Sequence, residues 1–163
     1  MPKLSFPCAL PVGTESLCET ADVELYAHVS SNILKEKLNI ELPDGIEISD
    51  VKDITGNGKN AVIKESHYHI DMTGLEINRQ NMDSFFNMNY FGVVKKTKKG
   101  EKEVNAREMV KSIRFSSDTN IELEILHSEG PELRPARIIA EIFKVDPDNM
   151  EEIRVLKIRQ ITD

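Results

Sequence analysis

Hydrophobic and polar residues alternate near the start of the chain, which is the pattern of a β-sheet covered on one face. The stretch ADVELYAHV, residues 21–29, alternates in this way, and the short apolar KLSF before it predicts another strand. The period then becomes helical, because leucines recur every four residues in SNILKEKLNIEL. Pro-Asp-Gly at 43–45 ends the helix, and a strand is predicted over 46–54. The first part of the chain is thus predicted as β-β-α-β.

The rest of the chain shows the same two periods in a longer series of strands and helices. A glycine- and asparagine-rich segment, TGNGKN at 55–60, is the best candidate for a boundary. Arg134 and Pro135 lie in the first turn of the last predicted helix, where the missing N–H of proline costs nothing. The pattern predicts strand 61–72, helix 78–88, a hairpin of 90–97 with 102–110, strands 112–117 and 120–126, helix 133–143 and strand 153–161.

These element orders predict an α+β fold built from two ferredoxin-like, or split βαβ, units. Residues 56–163 fit such a unit with an inserted β-hairpin, whereas residues 1–55 fit only its last four elements. The first unit is therefore predicted to be incomplete at its N-terminus, where the fold places a central strand. Packing of both units into a single domain is left open by the pattern.

Composition narrows the classes of function. The chain has 163 residues, 39% hydrophobic and 30% charged, as in a globular protein. Its 21 basic and 28 acidic residues give a net charge of -7, which argues against a surface coated throughout by nucleic acid. No apolar run approaches the roughly 18 residues of a membrane span, and no signal peptide is recognisable. Cys8 and Cys18 lack a companion pair, so we expect a reduced, cytoplasmic protein without a disulfide framework or cysteine zinc site.

A lysine-rich hairpin is the strongest local charge feature of this acidic chain. On a hairpin, alternate lysines share a face and form a positively charged patch at the tip. This patch could bind phosphate groups, and Arg107 could extend it. This pattern indicates an RNA-binding module as an alternative function. The structural interpretation is a solvated tip whose charge blocks edge-to-edge association. The segment KKTKKGEK holds Lys95, Lys96, Lys98, Lys99 and Lys102.

The segment SHYHID puts His67 and His69 on one face of a strand, and Asp71 continues that face. Three such side chains indicate a metal-binding protein or a small enzyme, which is the weaker alternative. The structural interpretation is that the residues between them face the core and the histidines form the exposed side. No metal and no cofactor are predicted.

The connection PVGTES contains Gly13, Glu15 and Ser16. A structural role is favoured, because Gly13 can supply a positive φ in a tight crossover between strands. Glu15 would need a perturbed pKa in a cleft to act as a general acid or base, and a sequence shows neither. No phosphate-binding loop, dinucleotide glycine fingerprint or Ser-His-Asp spacing is present, so no catalytic residue is predicted.

Four segments occur in a characteristic order across almost the whole chain: PKLSF…ALPVGTES…E-x-ADVEL, LPDGIEI, KKGEKEVNAREMV and RPARIIAEIF…VLKIRQ. Together they resemble the radical-SAM-linked domain family of unknown function, domain of unknown function 2344. The resemblance implies an accessory domain encoded beside, or fused to, a cobalamin-type radical SAM protein. It implies no reaction and no catalytic residues. We therefore expect a non-catalytic accessory module that binds a partner or presents its substrate.

The resemblance also implies a missing piece. Members of the family begin earlier, with a strand and a helix ahead of the PKLSF motif, whereas this sequence begins at Met1. The gap in the first sheet has three solutions: a tolerated fragment, a strand supplied by a partner or by a second copy in a homodimer, or repair by residues 56–163. We favour the intermolecular solution, because a bare gap in the middle of a sheet is the costliest arrangement.

Overall fold

Most of the predicted strands and helices are present, but the strand predicted over residues 21–29 is limited to Asp22–Glu24. A computed structural model describes residues 3–54, 62–97, 100–128 and 132–163. The elements before residue 60 are strands β1 (Lys3–Ser5), β2 (Thr14–Ser16) and β3 (Asp22–Glu24) and helix α1 (Ser31–Glu41). The later elements are β4 (Ile63–Asp71), α2 (Gln80–Phe86), β5 (Gly92–Thr97), β6 (Gly100–Asn105), α3 (Ala106–Met109), β7 (Val110–Phe115), β8 (Asn120–Leu126), α4 (Pro135–Phe143), a 3-10 helix (Pro147–Glu152) and β9 (Arg154–Thr162).

The chain divides into two units. The N-terminal unit falls within residues 1–6 and 21–60, and the C-terminal unit falls within 7–20 and 61–163. The α+β class is therefore confirmed, because both units combine strands with helices. Among the described residues, no helix is both long enough and apolar enough to span a lipid bilayer.

The N-terminal unit contains a small antiparallel sheet and one helix. Strand β1 pairs with β3, with Leu4 directly opposite Val23. The predicted strand over 46–54 is wrong, since this segment, which the structure describes throughout, has no strand conformation. Side chains of α1 bind its backbone instead. The side-chain amide of Asn39 bonds both the N–H and the carbonyl of Ile48, and Lys35 donates to the carbonyl of Ser49.

The C-terminal unit is built on a larger sheet with the strand order β2-β9-β4-β8-β7 among the described residues. Strand β4 pairs antiparallel with β8 and β9, and β7 pairs antiparallel with β8. The edge strand β2, which alternation does not predict, runs parallel to its neighbour β9. Strands β5 and β6 form a hairpin as a separate antiparallel pair. The predicted second strand over 102–110 is wrong at its end, because residues 106–109 form helix α3.

Helix α4 supplies much of the core of the C-terminal unit. It begins at Pro135, slightly later than the predicted range of 133–143, and Ile138, Ile139, Ile142 and Phe143 are all buried. They belong to one cluster with inward-facing residues of the sheet strands β4, β7, β8 and β9 and of helix α2. Alternate residues of β4 therefore face this core, and the residues between them form the opposite face of the sheet.

Candidate functional site

A serine, a histidine and a glutamate are hydrogen-bonded in series in the C-terminal unit. Ser66 lies on β4, and its Oγ is 2.8 Å from Nε2 of His127. The other ring nitrogen of His127, Nδ1, is 2.6 Å from Oε1 of Glu132. The backbone N–H of His127 also bonds the carbonyl of Lys64, which holds the residues after β8 against β4. This order of side chains is that of nucleophilic hydrolases.

Burial decides against a nucleophilic role for this series. Ser66 is 0% exposed, so its hydroxyl is closed to a substrate. Burial raises the pKa of the neighbouring Tyr68 to about 12, opposed by a hydrogen bond with Ser66. The hydrogen bond from His127 lowers the pKa of Glu132. The series therefore satisfies buried polar groups, as folded proteins require.

A small cavity adjoins the series on the core face of the sheet. Its volume of about 30 Å³ admits water but is far below the roughly 300 Å³ of a small-molecule pocket. Burial, followed by the charge of Glu132, raises the pKa of the Cys8 thiol, so this side chain is a poor nucleophile at neutral pH. The ammonium of Lys157 is 2.9 Å from Glu19 and 3.0 Å from Gln160. Titratable side chains that line the cavity are Cys8, Tyr68, His127, Glu132 and Lys157.

The opposite face of the sheet carries a cluster of titratable side chains, which we call the open-face cluster: Glu65, His67, Lys111 and Glu124. Nε2 of His67 is 2.6 Å from Oε1 of Glu65, and His67 lies directly opposite Glu124 in the register of β4 and β8. Nζ of Lys111 is 2.8 Å from both oxygens of Glu65 and 3.4 Å from Glu124. The hydrogen bond from Lys111 lowers the pKa of Glu65, and the same bond raises the pKa of Lys111.

The structure joins His67 to partners other than the predicted ones. Asp71 accepts hydrogen bonds from the N–H and the hydroxyl of Thr73, and these bonds lower its pKa. His69 lies opposite Glu122. Donor atoms of Glu65, His67 and Glu124 all lie within 4.8 Å of one another. The cluster therefore forms across strands rather than along β4.

The hairpin places its lysines among neighbouring charges. Lys95 lies opposite Lys102, and Lys96 lies opposite Glu101. Lys95 also donates to the backbone carbonyl of Glu132. Lys98 and Lys99 lie outside the described residues.

Arg107 packs inside the C-terminal unit. Its guanidinium lies 5.0 Å from the ring centroid of Phe86 and 5.7 Å from that of Phe85. It also donates to the carbonyl of Val110. These contacts give Arg107 a packing role close to the hairpin.

The residues predicted to have structural roles lie in or beside β2 and at the start of α4. Gly13 has a φ of 83°, and Glu15 is exposed on β2. The Ser16 hydroxyl donates to Glu19 and accepts from the N–H of Cys18. Arg134 is the N-cap residue of α4, in an extended conformation.

The N-terminal unit presents large apolar side chains to solvent. None of its described residues is buried. The exposed apolar surface of this unit, as we call it, comprises Leu4, Phe6, Val23, Ile33, Ile40, Ile46 and Ile54.

The profile of a bacterial family described as "uncharacterized protein conserved in bacteria", domain of unknown function 2344, matches residues 1–135. No curated protein and no solved structure matches the chain.

Proposed function

The chain belongs to the domain of unknown function 2344 family, and on that premise we propose that it is a non-catalytic accessory module that binds a radical SAM protein or presents its substrate. The radical SAM partner is the expectation carried by the family resemblance. The burial of Ser66 and the small cavity beside it favour a binding role over a catalytic one.

The observation that carries the proposal is the exposed apolar surface of the N-terminal unit. A sheet of two strands is marginally stable in water and normally needs a further strand or a packed face. Here β1 and β3 pair only with each other among the described residues, and Leu4 and Val23 remain exposed. Exposed apolar surface of this kind is typical of a protein–protein interface. A strand supplied by the partner, or by a second copy, would complete the sheet.

The strand order of the C-terminal unit supports the ferredoxin-like architecture predicted from the sequence. We interpret β4, α2, β7, β8, α4 and β9 as a ferredoxin-like unit with the hairpin β5–β6 inserted after α2. The neighbouring order β9-β4-β8-β7, with antiparallel pairing throughout, supports this interpretation.

Substituting two paired apolar residues tests the proposed interface. In titration calorimetry with the purified radical SAM protein proposed as the partner, Leu4→Ser combined with Val23→Ser should weaken binding by about ten-fold or more. The physical reason is that the partner then buries less apolar area. The matched control is Val12→Ser, since Val12 is an exposed apolar residue of the C-terminal unit. Failure of the two wild-type proteins to associate would refute the proposal, as would equal affinities for all variants.

RNA binding is the second candidate function, and the hairpin register favours it. Lys95 and Lys102 lie side by side, which concentrates positive charge on one face of the hairpin. Glu101 and Glu103 on the same hairpin offset part of that charge. Lysine side chains bind phosphate oxygens, so the proposal concerns contacts to the RNA backbone and not recognition of bases.

The salt dependence of binding distinguishes phosphate contacts from other modes. We expect affinity for single-stranded RNA to fall steeply as salt rises. Substituting Lys96, Lys98 and Lys99 by glutamine should flatten that slope by about one unit for each phosphate that the variant no longer binds. Lys37→Gln, an exposed lysine on α1, serves as the control and should leave the slope unchanged. Binding that is independent of salt, or absent for every RNA tested, would remove this candidate.

A further inference from the structure

We propose that Glu65, His67 and Glu124 form a binding site for a divalent transition-metal ion, in which Lys111 acts as a competing resident cation. The register of the sheet brings the three side chains together. His67 and Glu124 are directly opposite on β4 and β8, so their side chains leave the same face of the sheet. Glu65 is two residues before His67 on β4 and shares that face. One donor atom from each residue lies within 4.8 Å of the other two.

The donor set selects the class of ion. Two carboxylates and one imidazole suit Zn²⁺, Co²⁺ or Fe²⁺, whereas Mg²⁺ and Ca²⁺ prefer oxygen donors alone. Both carboxylates are shielded from water, with 11% of the Glu65 side chain and 13% of the Glu124 side chain exposed. Shielded carboxylates gain more from a nearby cation than exposed ones do. Since Nε2 of His67 now bonds Glu65, metal binding would require the ring proton to sit on Nδ1.

Lys111 occupies the position where positive charge is needed. It lies at the irregularity in β7 between Val110 and Ser112, and such bulges redirect a side chain. Its ammonium contacts both carboxylates, yet 47% of the side chain is exposed. The lysine can therefore withdraw into solvent when an ion of higher charge takes its place.

A neighbouring hydroxyl provides an independent indication of an additional ligand. Oγ of Ser112 is buried and has no hydrogen-bond partner within the described part of the chain. Ser112 lies directly opposite Glu124 in the register of β7 and β8. A buried hydroxyl without a partner is costly, and one beside a carboxylate can orient that carboxylate or a metal-bound water.

The competition between Lys111 and the metal gives a direct test. Zn²⁺ affinity would be measured on the full chain by competition with a coloured chelator, and coordination would be followed by the visible absorption of Co²⁺. We expect Lys111→Met to bind Zn²⁺ at least about ten-fold more tightly than the wild type, because the competing ammonium is gone. Adding His67→Gln to that variant should reverse the gain. Adding His69→Gln should not, since His69 shares the sheet face but lies outside the cluster.

Two outcomes would overturn the proposal. One is a Lys111→Met variant that binds no more tightly than the wild type. The other is a gain that survives His67→Gln, which would place the metal elsewhere. If Lys111→Met does not fold, the histidine ring signals of the wild type in NMR provide the second measurement. Zn²⁺ should then shift the ring signals of His67 by more than those of His69, and equal shifts or none would reject the site.

Discussion

Replacing Phe143 with alanine should lower the free energy of unfolding by about 3–5 kcal/mol. The substitution removes the free energy gained by burying the ring, and the cavity that remains adds a further cost. Phe143 is the last residue of α4 and is 3% exposed. Its ring packs against Phe115 edge to face, with centroids 5.8 Å apart. Phe115 belongs to strand β7. The cavity left by the Phe143 ring can therefore close only if α4 or β7 moves.

Urea unfolding followed by circular dichroism measures this change. The matched control is Phe6→Ala, because Phe6 is the same residue type and 59% exposed. Its substitution should cost about 0.5 kcal/mol or less. A loss below about 1 kcal/mol for Phe143→Ala would mean that α4 does not pack on the sheet as described.

The sequence predicts β4 and α4 well, because each element carries its own period. Alternate residues Tyr68 and Ile70 are buried in β4, as alternation requires. The pair Ile139 and Phe143, four residues apart, is buried in α4 as a helical period requires. In both of these elements the local pattern and the observed burial agree.

The pattern fails where residues elsewhere in the chain decide the conformation. Residues 46–54 alternate like a strand, but Asn39 and Lys35 take up backbone groups that a neighbouring strand would otherwise bind. Strand β2 has only three residues and forms because β9 is beside it. The hydrophobic period of residues 46–54 does not reveal their contacts with α1, and that of β2 does not reveal its pairing with β9.

The candidate sites are even harder to predict from the sequence, because their residues come from distant parts of the chain. Ser66 and His127 are far apart in sequence and come together because the residues after β8 lie against β4. The sequence singles out His67, but Glu124 joins it only through the register of two strands. Polar residues that alternate on two strands are a signal that such a cluster can form. Alternation does not tell which residue of one strand lies opposite which residue of the other.

The second large effect concerns the buried ion pair between Lys157 and Glu19, whose two halves should respond unequally. Lys157 is 4% exposed, whereas the Glu19 side chain is 30% exposed, and Nζ and Oε1 are 2.9 Å apart. Glu19→Ala leaves the buried ammonium with Gln160 as its remaining side-chain partner among those described. We expect this variant to lose about 3 kcal/mol of unfolding free energy, since an uncompensated buried charge is costly.

Lys157→Met should cost much less, about 1 kcal/mol or below, because a chain of similar volume replaces the ammonium and Glu19 remains solvated. The double variant should then resemble Lys157→Met alone, because the charge that Glu19 compensates is no longer present. Urea unfolding of the two single variants and the double variant provides the full cycle. Equal losses for the two single variants, or strictly additive losses in the double variant, would show that burial of the lysine charge does not determine the stability of this pair.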